Sequence, residues 1–232
     1  MVLNPRMNQC LAQLSDEEFQ RLEPQLRLVS LTKASVLFEP GDSMKSFLFP
    51  VTAKISIATS FDGVNFTDLV LVGSWGIIGR RILIDGISSH RVYVSVPGFA
   101  YEISASPMLH EFRRFAGVHD ICMATIENLL AKISNEVICS RFHSLEQRLA
   151  KWFLLRMDEG DDNTINTTHQ AIATSMGYKR EAVTLALRQF QGIEVSRGKI
   201  HVSDRGWMER ACCSCYVSPH RTMDTQLDIW EK

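Results

Sequence analysis

The stretch Thr167–Asp204, TTHQAIATSMGYKREAVTLALRQFQGIEVSRGKIHVSD, decides how this chain is read. Thr167 followed by Gln170 has the spacing of a capping box, which predicts a helix start, and Ile172 and Met176 give that helix a buried face. Gly177 is the expected stop, because glycine adopts positive φ without steric cost. In the next segment Ala182, Val183, Ala186, Leu187 and Phe190 recur at helical spacing. They should face inward and leave Arg180, Glu181, Thr184, Leu185 and Arg188 outside. The ending IEVS, Arg197-Gly198, KIHVS alternates apolar and polar residues across a turn, the pattern of a hairpin. Helix, tight turn, helix and hairpin together predict a winged helix-turn-helix.

Helix pairs joined by glycine occur in many proteins, and a charged outer face is usually only a solvated one. The hairpin tips the reading. Arg can bond bidentately to guanine, Glu can accept from cytosine, and Thr or Leu can touch a thymine methyl. The expected partner is double-stranded DNA. The candidate surface is Thr168, His169, Lys179, Arg180, Glu181, Thr184, Leu185 and Arg188, with Arg197 and Lys199 on the wing.

Composition fits a regulator built of two parts. At 232 residues, 45% of them hydrophobic, the chain exceeds the usual single domain and has enough apolar residues for two ordinary cores. The net charge of −1 gives no global basic field, so affinity for nucleic acid must come from a local surface. Residues 141–216 carry 11 basic against 9 acidic residues, whereas residues 1–140 carry 12 against 14. The bias is small and has the expected sign. The start lacks a basic segment leading into an apolar run, and no stretch approaches the roughly 20 apolar residues of a membrane span. A cytoplasmic location without membrane contact is expected. The six cysteines, at 10, 122, 139, 212, 213 and 215, show no disulfide-framework spacing. Cys212, Cys213 and Cys215 are closer together than usual paired zinc ligands, and no neighbouring His pair completes a set. They read as small residues packed at a domain end, with no metal expected.

Residues 27–103 contain short runs rich in Val, Ile and Phe, such as SVLF, SFLF, KISIATS, DLVLV, RVYVSV and AYEIS. Pro-Gly-Asp at 40–42, Asp62-Gly63 and Pro97-Gly98 break them up. Closely spaced strands with turn signals predict a β-sandwich or jelly roll. A helical section is expected from about Pro107 to Glu159. Within it Ile126, Leu130, Ile133 and Val137 recur at spacings of 4, 3 and 4, which is a packing seam. The seam suits either a second copy of the chain or the chain's own β-domain. A homodimer is the preferred reading, since two recognition helices one turn apart read a pseudo-palindrome.

With these parts assembled, the chain resembles the Crp/Fnr family of bacterial transcription regulators. The resemblance rests on FEPGD at 38–42, VGSWGIIG at 72–79, HSLEQRLAKWFL at 143–154 and THQAIATSMGYKREAVTLALRQFQ at 168–191. HSLEQRLAKW together with DRGWMERACCSCY at 204–216 looks most like a branch whose ligand is unassigned. The resemblance implies an α+β chain. Residues 1–105 form a β-roll sensor domain like a cyclic-nucleotide-binding domain, 106–140 a dimerisation helix, and 141–216 the winged helix-turn-helix. The tail at 217–232 carries no readable signal. RNA polymerase is an implied further partner.

Founding members of the family bind cyclic AMP through a Gly-Glu pair on the ribose and an Arg-Ser or Arg-Thr pair on the cyclic phosphate. Alignment on Gly79 puts Arg80 at the glutamate, His90 at the phosphate arginine and Arg91 at the serine or threonine. A guanidinium cannot accept the ribose hydroxyl bonds, and neutral His supplies far less fixed charge than Arg. Cyclic AMP is not expected to bind. Gly79, Arg80, His90 and Arg91 are the candidate effector pocket for some other anion, although solvated cations on a β-roll loop are the preferred reading. No cofactor is expected. An iron-sulfur sensor of the fumarate-nitrate type needs three cysteines near the N-terminus, where only Cys10 lies. Relatives that read TGTGA-type half-sites carry Arg and Glu at the positions of Arg180 and Glu181 and a second Arg where this chain has Leu185. Catalysis is not expected, since G-x-S-x-G, H-E-x-x-H, the P-loop and G-x-G-x-x-G are all missing. The rival reading is a cyclic-nucleotide-type sensor that acts through protein contacts rather than DNA.

Overall fold

Short apolar runs punctuated by Pro and Gly set the architecture of the first hundred residues. The computed structural model of the protein describes residues 3–60, 62–114, 116–158 and 163–216, so the sequence reading of the tail falls outside the described residues. Two helices, α1 (Gln9–Ala12) and α2 (Asp16–Leu22), come first. Ser15 and Glu18 start α2 with a reciprocal capping box. Seven strands follow: β1 (Arg27–Leu31), β2 (Val36–Phe38), β3 (Ser46–Pro50), β4 (Lys54–Ser60), β5 (Phe66–Val72), β6 (Arg91–Val96) and β7 (Gly98–Ser104). They pair antiparallel into two sheets, β1-β7-β3 and β2-β6-β4-β5. The expected β-roll is present.

Strand alternation explains why this unit has two apolar cores. Successive side chains of a strand point to opposite faces. Phe47 and Phe49 of β3, with Tyr101 and Ile103 of β7, therefore join Leu11, Phe19 and Leu22 from the leading helices and Leu14 between them. Leu48 and Ala100, one residue out of phase, join Ile55, Ile57, Val70, Val72, Val92 and Val94 of the other sheet. One sheet thus carries a helical layer on one face and the second sheet on the other.

The helical section opens at Ala105, slightly before the expected Pro107: α3 (Ala105–Phe112), α4 (Gly117–Phe142) and α5 (Leu145–Asp158). The chain divides into two compact units inside α4, residues 1–133 and 134–232. In the second unit β8 (Thr164–Ile165), α6 (His169–Met176), α7 (Arg180–Leu187), β9 (Ile193–Ser196), β10 (Lys199–Val202) and α8 (Arg205–Ala211) follow α5. The small sheet has the order β8-β10-β9, with Ser196 paired to Lys199 across the Arg197-Gly198 turn. Its core combines Leu149, Phe153 and Leu154 of α5 with Ile172, Val183, Leu187, Phe190, Ile200, Val202 and Met208. Aromatic packing continues from Phe153 to Phe190, with ring centroids 6.1 Å apart, and from Phe190 to Trp207, 4.9 Å. Among the described residues no helix is long and apolar enough to cross a membrane.

Candidate nucleic-acid interface

The turn between α6 and α7 is set by local chemistry. The cap lies one residue later than the sequence pattern suggested: Thr168, not Thr167, accepts the Ala171 N–H at 3.1 Å. Two adjacent threonines make the spacing rule ambiguous, and the backbone selects the one that is extended, Thr168 at φ −125°. Gly177 closes α6 at φ 72°, ψ 32°, and the Tyr178 N–H reaches back to the Ala173 carbonyl at 2.8 Å. Arg148 of α5 braces the turn, donating to the Tyr178 hydroxyl and lying over its ring at 5.2 Å. Sequence reading missed this contact, because α5 and the turn are far apart in the chain.

On α7 the inward residues Val183, Ala186 and Leu187 are buried. Lys179, Arg180, Glu181, Leu185 and Arg188 are exposed, Leu185 by 61%. An exposed leucine among charged side chains offers an apolar contact to a partner. Arg197 and Lys199 are exposed on the hairpin. Thr184 and His169 are engaged with each other instead. The Thr184 hydroxyl donates to the Arg180 carbonyl at 2.9 Å, which makes His169 Nδ1 the donor of the 2.9 Å bond between the two side chains. Among the described residues, His169 Nε2 is buried and has no hydrogen-bond partner. This pair links the start of α6 to the middle of α7.

Residues 147–211 match the model of the Crp-like helix-turn-helix domain. The chain carries that domain on a Crp/Fnr fold. Residues 147–211 are therefore a Crp-like helix-turn-helix domain, and the whole chain has the Crp/Fnr-like fold. Among solved structures, a Crp/Fnr-family transcriptional regulator from Eubacterium rectale is 17% identical, covers 89% of this chain and 98% of its own, and superposes with a TM-score of 0.72. A Crp-family regulator from Thermus thermophilus is 14% identical over 82% of this chain and 99% of its own, TM-score 0.68. FixK2 from Bradyrhizobium japonicum is 13% identical over 82% and 98%, TM-score 0.66. No curated protein sequence matches the chain.

The Crp/Fnr-like β-roll encloses a cavity of about 320 Å³ lined by Gly79, Arg80, Arg81 and His90 among mainly apolar side chains, including Ile57, Val70 and Ile126. Gly79 sits at φ 100°, where an added Cβ would lie 2.7 Å from the Ser46 carbonyl oxygen, so glycine is required for both reasons. Arg80 begins a short 3-10 turn, Arg80–Leu83, and donates to the Ile77 carbonyl. Burial lowers its guanidinium from the ordinary value. Burial, with Arg81 beside it, also holds His90 below its ordinary value, so the ring is neutral at pH 7. Arg91 is not in the cavity, contrary to the sequence reading. Its guanidinium forms a bidentate pair with Glu39, 2.9 and 2.7 Å, and lies over the Phe66 ring at 3.8 Å.

On α4 the seam splits. Ile126, Leu130 and Val137 are exposed, Leu130 by 58%, and Met123 and Ile138 are exposed with them. Ile133 departs from the expectation: it is half-buried and, with Ile126, lines the cavity.

The cysteines also differ from the sequence reading. Cys213 and Cys215 meet Cys139 and His143, residues 74 and 72 positions earlier. Cys212 stays apart, its thiol directed at the Glu209 carbonyl. The signal available in sequence was Cys139 and His143 at helical i, i+4 spacing. Burial pushes the Cys213 thiol up and Cys215 to about 11, with Cys139 adding to both. These are not the acidified thiols of a nucleophile. Lys151, itself buried, donates to Glu136 and lies 3.2 Å from the Cys139 sulfur. Burial works against its charge, but Glu136 and Cys139 outweigh it and hold the ammonium above its ordinary value.

Proposed function

We propose that the protein binds a pseudo-palindromic DNA operator as a homodimer, with α7 in the major groove, and that it does so without cyclic AMP or cyclic GMP. The single observation that carries this is the outer face of α7, where Arg180, Glu181, Leu185 and Arg188 are exposed on a Crp-like helix-turn-helix domain. Arg180 and Glu181 open the helix, the end that meets base edges when a recognition helix enters the groove. They supply a bidentate donor for guanine and an acceptor for the cytosine amino group, so a G·C step is expected at that position. Leu185 can pack on a thymine methyl but cannot replace an arginine's hydrogen bonds. The half-site therefore departs from TGTGA at one base. Arg188, one turn on, with Arg197 and Lys199 of the wing, fits phosphate contacts that fix register rather than sequence.

The dimer reading is supported by the exposed apolar row of Ile126, Leu130 and Val137 on α4. Independence from cyclic nucleotide is supported by the cavity's polar groups. Neutral His90 stands where a phosphate-binding arginine is needed, and Arg91 is occupied by Glu39. The DNA-binding reading involves neither a catalytic step nor a cofactor. A cytoplasmic protein with RNA polymerase as a further partner follows from the Crp/Fnr type. The rival, a sensor acting through protein contacts alone, would leave the α7 face without a role.

Fluorescence anisotropy on duplex DNA tests the reading. Counterion release requires log K to fall linearly with log salt, at about −0.9 per phosphate contact. Salt-independent or undetectable DNA binding by the dimer would overturn it.

A further inference from the structure

We propose that Cys139, His143, Cys213 and Cys215 form a tetrahedral site for a single zinc ion, a structural clamp inside the C-terminal unit. Their ligand atoms all lie within 4.8 Å of one another. Zinc–sulfur bonds of about 2.3 Å and zinc–nitrogen bonds of about 2.0–2.1 Å require tetrahedron edges of roughly 3.8 Å between sulfurs and roughly 3.5 Å between sulfur and nitrogen. The Cys139 and Cys213 sulfurs are 3.5 Å apart, and the Cys215 sulfur is 3.7 Å from His143 Nδ1. Two of the six edges thus stand within about 0.3 Å of that figure, and the others are no longer than 4.8 Å.

Each half of the site comes from local structure. The His143 N–H donates to the Cys139 carbonyl at 3.2 Å, so the helical path of α4 continues far enough to place both side chains on one face. After α8, the Tyr216 N–H donates to the Cys213 carbonyl at 3.0 Å, a turn that brings Cys213 and Cys215 together. The Tyr216 hydroxyl is in turn fixed, donating to Asp158 at 2.7 Å and accepting from Arg205 at 2.9 Å. Arg205 also pairs with Asp158 at 2.6 Å. The segment carrying Cys213 and Cys215 is thus held in place by bonds outside the cluster, as a metal site requires of its surroundings.

Charge supports a cation bound to thiolates. Zinc with three thiolates and a neutral imidazole has a net charge of −1. Lys151, buried 3.2 Å from the Cys139 sulfur and paired with Glu136, places a cation beside the site and an N–H on the sulfur. Cys139 and Cys213 are buried, whereas His143 and Cys215 are half-buried, which leaves a side for the ion to enter. On binding, zinc displaces one proton from each of the three thiols. No electron transfer is involved, and the ion ties the end of α4 to the segment beyond α8.

This proposal stands independently of the DNA reading, and its test reads metal rather than operator binding. Full-length protein, expressed with zinc in the medium and purified without chelator under reducing conditions, is analysed for metal content. About one zinc per chain is expected. Cobalt added to the metal-free protein should give the intense visible bands and the sulfur-to-cobalt ultraviolet charge transfer of a tetrahedral thiolate site. Cys215→Ser and His143→Ala, at the half-buried side, should each weaken retention of zinc against a competing chelator at least tenfold, with folding checked by circular dichroism. Cys212→Ser should retain it like the wild type. The proposal is overturned if reduced wild-type protein binds no zinc and gives no tetrahedral cobalt spectrum. It is also overturned if a Cys139–Cys213 disulfide persists in its place, or if Cys212→Ser loses zinc as Cys215→Ser does.

Discussion

Leu130 gives the dimer hypothesis a quantitative test. Within one chain this side chain is 58% exposed on α4, between Ile126 and Val137, which are exposed as well. Burying a whole leucine side chain contributes about 1.5–3 kcal/mol, so covering the exposed part contributes about 1–2 kcal/mol per chain. An isologous interface contains the residue twice. Leu130→Ala should therefore weaken the dimer by about 2–4 kcal/mol, roughly two orders of magnitude or more in dissociation constant. Leu130→Glu adds the several kcal/mol of burying an unpaired carboxylate twice over and should give monomers at micromolar concentration. Since the site is exposed in the single chain, the far-ultraviolet circular dichroism of the monomer should remain that of a folded helical protein. Sedimentation velocity over a concentration series measures the association directly. If Leu130→Glu remains a folded dimer at micromolar concentration, the exposed row on α4 is not the interface and the reasoning fails.

Two further outcomes follow from the sites described above. Isothermal titration with cyclic AMP and cyclic GMP should show no saturable binding in the low micromolar range, about −8 kcal/mol, because the cavity offers neutral His90 and arginines in place of the ribose and phosphate partners; binding of that strength would contradict the reading. Gly177→Ala puts a Cβ at φ 72° and should destabilise the C-terminal unit by about 1 kcal/mol, lowering its melting transition by several degrees, while an unchanged transition would show that the α6–α7 turn does not depend on that conformation.

What sequence could show depended on how far apart the interacting residues lie. The helix-turn-helix was legible because its signals are local: helical spacing in Val183, Ala186 and Leu187, a glycine stop, a hairpin turn. Most strands of the β-roll were legible for the same reason. The leading helices α1 and α2 passed unread, being only 4 and 7 residues long, too short for periodicity to register. Arg91 was misplaced because its partner, Glu39, is 52 residues away, just past the end of β2. Ile133 fell in the seam by spacing, yet the fold turns it to the cavity while Leu130 stays exposed. The Cys–His cluster joins residues more than 70 positions apart, and only the folded C-terminal unit brings them together.

The central claim is that the exposed face of α7 reads bases. Selection from a randomised half-site library, with the wild type, Arg180→Ala and Arg188→Ala compared at two salt concentrations, tests it most directly. The wild type should select a pseudo-palindrome with a G·C step assigned to Arg180 and Glu181. Arg180→Ala should lose preference at that position and about 1–3 kcal/mol on the selected operator, whereas Arg188→Ala should weaken all sequences alike and reduce the salt slope by about one. A uniform loss of affinity in Arg180→Ala, with every base preference unchanged, would contradict direct readout by this helix.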